Sequence, residues 1–409
     1  MIEKIKKYKK VIYDLFFNTL AFGIYIVAQQ FLLMPIMART FPEEKFSIIV
    51  IYMSIYAIIT NVLGSELGIV RQIKNEETTE TSDYNRILLQ ILPIVLIISI
   101  ISLAILKFSI VEIIILTIAI ILGNIRLYSA AYFRLKKDFK YVLVLNLLYL
   151  IGITIGALLT YKIKLIWLPM ILAEILCLIF YLWKTDLLKS SIKKTENNKN
   201  IIKTFRDLGF ISFLINMTTY FDKIIIYPIL GDNAVSVYYA TSSMSKILGL
   251  IVNPLHGVII SWLKGNDEKF KSKVVKITLK VNIPILIIVF ILSLPLTYLA
   301  VRILYPQYLG NAMVIILPIC IGAAFNTVAT LVKAILMKYV ESKKMVHIYV
   351  SYIAILIVLA IFMSNLYGIV GFAYSTAISK IALWILFILT LNKVSKQNIL
   401  NEGEESEKE

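Results

Sequence analysis

The sequence predicts an all-α integral membrane protein with about 12 transmembrane helices in two six-helix lobes. Three observations predict it. Apolar residues make up 59% of the 409-residue chain and charged residues 16%, against about half and a quarter in soluble domains. Apolar runs of about 18 residues or more recur from end to end, each long enough to cross a bilayer. Lysine and arginine concentrate in alternate segments between those runs. Helices and closed barrels are the structures that satisfy backbone polar groups in lipid. Barrel strands would alternate apolar and polar residues, and these runs do not.

The expected spans are 15–38, 46–70, 85–106, 109–133, 141–161, 164–184, 203–230, 234–263, 274–303, 309–337, 345–366 and 368–392. The cuts at Lys107 and at Lys162 to Lys164 are minimal turns. With both termini inside, 30 of the 42 Lys and Arg fall in inner segments, 6 in outer turns and 6 within spans. That bias is the positive-inside rule, so the net charge of +17 is read as topology rather than nucleic-acid binding. The basic start, MIEKIKKYKK, is followed by an apolar stretch too long for a signal peptide. Residues 1–14 are expected on the inner membrane surface.

The longest inner segment, 185–202, is polar and lysine-rich. It divides the chain into an N-terminal lobe (1–184), a cytoplasmic linker (185–202), a C-terminal lobe (203–392) and an acidic tail (393–409), which is expected to be disordered. Leu33 to Met37 and Ile226 to Leu230 each carry a proline before an outer turn, and each is followed by a Tyr- and Ser-bearing helix. That is the pattern of a parallel repeat.

The stretch from Phe205 to Trp262 organises the rest, because it sets Asp222, Lys223 and Lys246 inside apolar runs on either side of the turn Gly231-Asp232-Asn233. Here Tyr220-Phe221-Asp222-Lys223-Ile224-Ile225-Ile226, Leu230-Gly231-Asp232 and Val237-Tyr238-Tyr239-Ala240 resemble the seventh and eighth helices of polysaccharide flippases. These are exporters of O-antigen or capsule repeat units, in the superfamily that includes MATE drug exporters and lipid II flippases. The resemblance implies a MATE-like fold and a bacterial cytoplasmic-membrane location. It also implies an undecaprenyl-diphosphate-linked oligosaccharide as substrate, moved by alternating access between the leaflets. Other implied partners are membrane lipids and the polymerase or glycosyltransferases of the same pathway. A monomer without cofactor is expected.

No catalytic motif is visible. His256 and His347 have no metal-ligand partner at helical spacing, and no P-loop occurs. Short outer turns argue against a polymerase or glycosyltransferase, so the chain is not expected to be an enzyme. Cys177 and Cys320 are expected as free buried thiols, and Gly152-Ile-Thr-Ile-Gly156 as a close helix contact.

Ionisable residues within spans mark function by default, since each costs about 2.5–3.5 kcal/mol on insertion scales. Arg126, Lys223, Lys246 and Lys380 are the deep cations, and Glu174 and Asp222 the deep acids; Glu66 lies nearer the inner surface. Matched depths pair Arg126 with Glu174, and the hairpin allows Asp222 to pair with Lys246. Lys223 and Lys380 would then lack an acid, leaving a net-positive cavity for the diphosphate. Asp222, Glu174 and Glu66 are the candidates for coupling to H⁺ or Na⁺. Tyr220, Tyr227, Tyr238 and Tyr239 suit an interfacial aromatic belt or stacking on sugar faces. Two other functions stay open: a MATE-like drug/cation antiporter, which would favour an acidic cavity, and a non-transporting scaffold for an envelope or sporulation complex.

Overall fold

The computed structural model describes residues 2–74, 80–185, 198–262 and 268–406, and among them all regular structure is helical. The chain forms two compact units, Met1–Tyr220 and Phe221–Glu409. Their boundary falls inside a helix, beyond the linker expected at 185–202. Most of that linker lies outside the described residues.

In the first unit, α1 (Ile2–Ile26) passes through a π-helical segment, Val27–Leu33, into α2 (Met34–Thr40). The next span repeats this device: α3 (Glu43–Ile59), a π segment at Thr60–Ser65 and α4 (Glu66–Ile73). Then come α5 (Thr81–Ile105), α6 (Ile110–Leu135), α7 (Phe139–Ile163) and α8 (Leu168–Lys184). Both minimal turns are real. Lys107 and Lys164 end α5 and α7 in the left-handed region, at φ 58° and 57°, releasing the chain to reverse. α6 restarts at once because Ser109 and Glu112 cap each other's backbone N–H groups.

The outward face of α5 is Ile94, Ile97, Ile98, Ile101 and Ile105, all exposed, as a lipid-facing surface requires. Inward faces meet through small residues. A Cβ on Gly152 would fall 2.3 Å from the Ala173 Cα, and one on Gly156 2.3 Å from the Pro169 Cα. The expected glycine contact is therefore the α7–α8 seam.

The second unit takes in the rest of α9 (Asn198–Trp262), then α10 (Glu268–Leu304), α11 (Leu309–Tyr339) and α12 (Ser342–Ser406). The two 65-residue helices are each a pair of spans. α9 breaks at Gly231 (φ 77°, ψ −170°) and α12 at Gly368 (φ 56°, ψ −138°), conformations that glycine adopts at little cost. The chain folds back at both. The Tyr238 hydroxyl donates to Asp222 Oδ2 at 2.9 Å, although sixteen helical residues would span about 24 Å. Gly371 lies so close to the Met363 carbonyl that a Cβ would overlap it, at 1.9 Å.

Among the described residues nine helical segments are long and apolar enough to cross a membrane. Two of them carry these reversals, and the 17-residue α8 is marginally shorter, so the set accommodates the expected passes. One difference concerns the tail. Residues 393–406 continue α12 as helix, and the sequence there holds helix-favouring Leu, Lys, Gln and Glu with no proline.

Candidate functional site

Each unit contains a buried ionic cluster, and the two are built differently. In the first unit α6 and α8 bring Arg126 and Glu174 together, as matched depth predicts. Arg126 Nε donates to both Glu174 oxygens, at 3.1 Å and 3.0 Å, with the two side chains 3% and 0% exposed. Tyr56, from α3, donates to Glu174 Oε1 at 2.5 Å and accepts from Arg126 Nη2 at 3.3 Å. The guanidinium also stacks over the rings of Tyr149 (4.4 Å) and Tyr25 (5.1 Å). Gln29, in the first π segment, donates to the Tyr25 hydroxyl at 2.9 Å and to the Tyr149 hydroxyl at 3.0 Å. Arg126 was expected to face substrate. Here its donors are engaged by an acid, a phenol and two ring faces, so it contacts an anion only if Glu174 releases it.

In the second unit Asp222 is held by its own neighbour. Lys223 Nζ lies 2.6 Å from Asp222 Oδ1, which also accepts the Lys223 backbone N–H at 3.0 Å; Tyr238 occupies Oδ2. This corrects the expectation that Lys223 lacks an acid. Adjacent Cβ atoms point about 100° apart on a helix, but the flexible lysine stem is long enough to fold back onto the preceding carboxylate. Lys246 lies on α9 with its side chain outside the described residues, so the expected Asp222–Lys246 contact falls there as well.

Lys380 differs from the other cations. It is half-buried on the second span of α12, and its Cδ would lie 3.4 Å from a Cβ on Gly322 of α11. The missing side chain at Gly322 leaves it that room. Asp222 and Lys223 act on it through space, and among the described residues no carboxylate is in ion-pair contact with it.

The aromatic expectation changes as well. Tyr238 and Tyr239 are 1% and 4% exposed, packed edge-on against Phe372 (5.1 Å) and Tyr305 (6.3 Å). They are core residues rather than a belt or a sugar platform; Tyr220 and Tyr227 are half-buried.

Sequence reasoning missed Tyr25, Gln29, Tyr56 and Tyr149 around Arg126. It also missed Arg71, 6% exposed, which donates to Tyr128 (2.9 Å) and Thr81 (2.8 Å) and ties α4 to α5 and α6. A glutamine and tyrosines in otherwise apolar spans were the available signal. Cys177 and Cys320 are free and buried, as expected.

Comparison with known proteins adds the family. No curated protein matches the chain. Among solved structures, a lipid II flippase, MurJ, in an inward closed conformation is similar with TM-score 0.68 and 16% identity, over 97% of this chain and 91% of that one. An inward-facing multidrug resistance MATE family transporter of the MOP superfamily is similar with TM-score 0.72 and 12% identity, over 93% and 98%. Such distant likeness establishes the MATE-like fold. The family model described as polysaccharide biosynthesis protein matches residues 15–264, more than half of the sequence and inclusive of both ionic clusters. The chain belongs to the polysaccharide biosynthesis protein family.

Proposed function

We propose that the chain is a flippase that carries an undecaprenyl-diphosphate-linked oligosaccharide from the inner to the outer leaflet of a bacterial cytoplasmic membrane. Both termini are cytoplasmic in this reading, and the export serves a capsule- or O-antigen-type polymer. The observation that carries it is Lys380: a cation deep in its span, without a carboxylate in contact among the described residues, in a family that builds polysaccharide. Ion-paired Arg126 and Lys223 are balanced locally, so an incoming anion gains most at Lys380. A diphosphate is such an anion, and lysine binds phosphate as a point charge. Lys246 is the second cation assigned to it. Arg126 and Lys223 are assigned to hold Glu174 and Asp222.

The likeness to MATE transporters would equally suit a drug antiporter, but a cationic drug would be repelled by an unbalanced ammonium. The test replaces Lys380 with Ala and with Arg in a deletion background and measures surface polymer at equal membrane abundance. Lys380→Ala is expected to lower polymer at least tenfold, and Lys380→Arg to retain part of it. Normal polymer in Lys380→Ala would overturn the assignment and favour a scaffold role.

A further inference from the structure

The buried charges of the first unit are enclosed. Arg126 is held by Glu174, Arg71 by Tyr128 and Thr81, and Glu66 is 8% exposed at the start of α4. The inner ends of α6, α7 and α8 are different. Residues 134–140 and 183–185 hold five cations, Arg134, Lys136, Lys137, Lys140 and Lys184, against one acid, Asp138. Arg134 is half-buried and the four lysines are exposed. Among the described residues none of the five is in ion-pair contact with a carboxylate. Lys45 and Arg206, at other surfaces, do have acids, at 3.4 Å and 3.2 Å.

Aromatic rings bring these three helix ends together. The Tyr141 ring of α7 packs against Phe133 of α6 at 5.4 Å and against Phe180 of α8 at 6.1 Å. Phe180 continues to Trp183 at 6.5 Å. Two of the lysines lie on rings. Lys184 Nζ is 3.8 Å from the centre of the Trp183 ring and 5.8 Å from that of Tyr141. Lys136 Nζ is 4.4 Å from that of Tyr132. A ring face attracts an ammonium without neutralising it, so the charge stays available to an anion.

The helix faces that lead to these lysines are apolar and open. Along α8, Ile175, Ile179 and Leu182 are exposed and end at Trp183, which is 73% exposed. Along α7, Leu147, Ile151, Ile155 and Leu158 are exposed. Lys140 stands on that same face two turns nearer the inner end, at heptad spacing from Leu147. Two open apolar stripes therefore flank the α7–α8 seam, and each ends in a lysine. Such stripes suit acyl chains, and tryptophan and tyrosine favour the headgroup level. Basic pockets between helices at that level bind anionic headgroups. Topology asks only for the number of lysines, not for their seating on rings at the end of lipid-facing stripes.

We propose that the inner end of the α7–α8 seam binds an anionic glycerophospholipid of the inner leaflet. The headgroup phosphate sits among Lys136, Lys140 and Lys184, and the acyl chains lie along the two stripes. The site stands apart from the transport function proposed above, since none of its residues belongs to either ionic cluster.

The test uses the full-length protein in phosphatidylcholine nanodiscs that contain brominated phosphatidylglycerol or, in matched samples, brominated phosphatidylcholine. Bromine quenches tryptophan on contact, and the Trp183 share is read by difference from Trp183→Phe. In the wild type, brominated phosphatidylglycerol is expected to quench Trp183 at a dose at least about tenfold lower than brominated phosphatidylcholine. Lys184→Gln should cut that preference roughly fivefold, and the triple variant Lys136→Gln, Lys140→Gln, Lys184→Gln should abolish it. Lys203→Gln, at an exposed position near the start of α9, should leave it unchanged. Native mass spectrometry gives a second reading: phosphatidylglycerol should stay with the wild type and be lost from the triple variant. Equal quenching by the two probes in the wild type overturns the proposal, and so does a preference that survives in the triple variant. Relief of quenching by excess inorganic phosphate would make this a soluble-anion site, and relief by a short polyprenyl diphosphate a substrate dock; either also overturns it. If the triple variant does not reach the membrane, Lys184→Gln decides.

Discussion

Truncating Glu174 to alanine strands the Arg126 guanidinium in a site where its side chain is 3% exposed. Removing one partner of a buried ion pair costs about 3–5 kcal/mol, because the other charge is left uncompensated. The Tyr56 hydroxyl loses its acceptor in the same step, but it shares the oxygen that Arg126 uses, so the two losses overlap and do not add. The stacking of Arg126 on Tyr149 and Tyr25 survives the change and keeps the cost within that range. The expected loss is therefore roughly two to three and a half powers of ten in the folded-to-unfolded ratio. The double variant Arg126→Met, Glu174→Leu removes both charges at similar volume and should regain most of it. Stability is read by SDS titration of purified protein in mixed micelles, with fluorescence-detected size exclusion as a second measure. A single variant as stable as the wild type would refute the reasoning. So would a double variant no better than the single, since the penalty would then come from lost packing rather than from an unpaired charge.

Gly156→Leu should break the α7–α8 seam, since its first carbon alone would fall 2.3 Å from the Pro169 Cα; overpacking of about 1–3 kcal/mol or more should show as loss of monodisperse protein. Gly23→Ala, where nothing lies within 4 Å of the added carbon, is the matched control and should behave as wild type. Reporters fused after Lys137 or Lys194 should read cytoplasmic and insertions at Asn233 or Gln307 external; Lys194 and Asn233 on one side would break the twelve-span order.

The helices were legible because each span needs a long apolar run, and the bilayer leaves few other ways to satisfy the backbone. Gly152 and Gly156 were legible as a seam because spacing alone sets them on one helix face. The Arg126–Glu174 pair could be read from depth, since both residues sit at similar distances from one surface. Depth says nothing about azimuth, and the tyrosine shell around Arg126 depends on azimuth. Tyr25, Tyr56 and Tyr149 come from three different helices, and their spacing in sequence carries no trace of their meeting. The Asp222–Lys223 pair was missed for a different reason. Backbone direction was allowed to decide, where the reach of a four-carbon side chain does. The π segments were invisible, because an i→i+5 turn depends on what packs against it. At Thr60–Ser65 that packing includes Gly64, which lies against the Asn124 backbone closely enough that a Cβ would fall 2.6 Å from its oxygen.

The central claim is movement of a lipid-linked anion through a fold whose deep cations are only partly balanced. The most direct measurement reconstitutes the purified chain in vesicles holding a fluorescent undecaprenyl-diphosphate oligosaccharide in both leaflets, and follows quenching by a membrane-impermeant reductant. Wild-type protein should make nearly all of the probe accessible, and Lys380→Ala should leave about half protected, as protein-free vesicles do. Equal protection with and without wild-type protein would contradict the account.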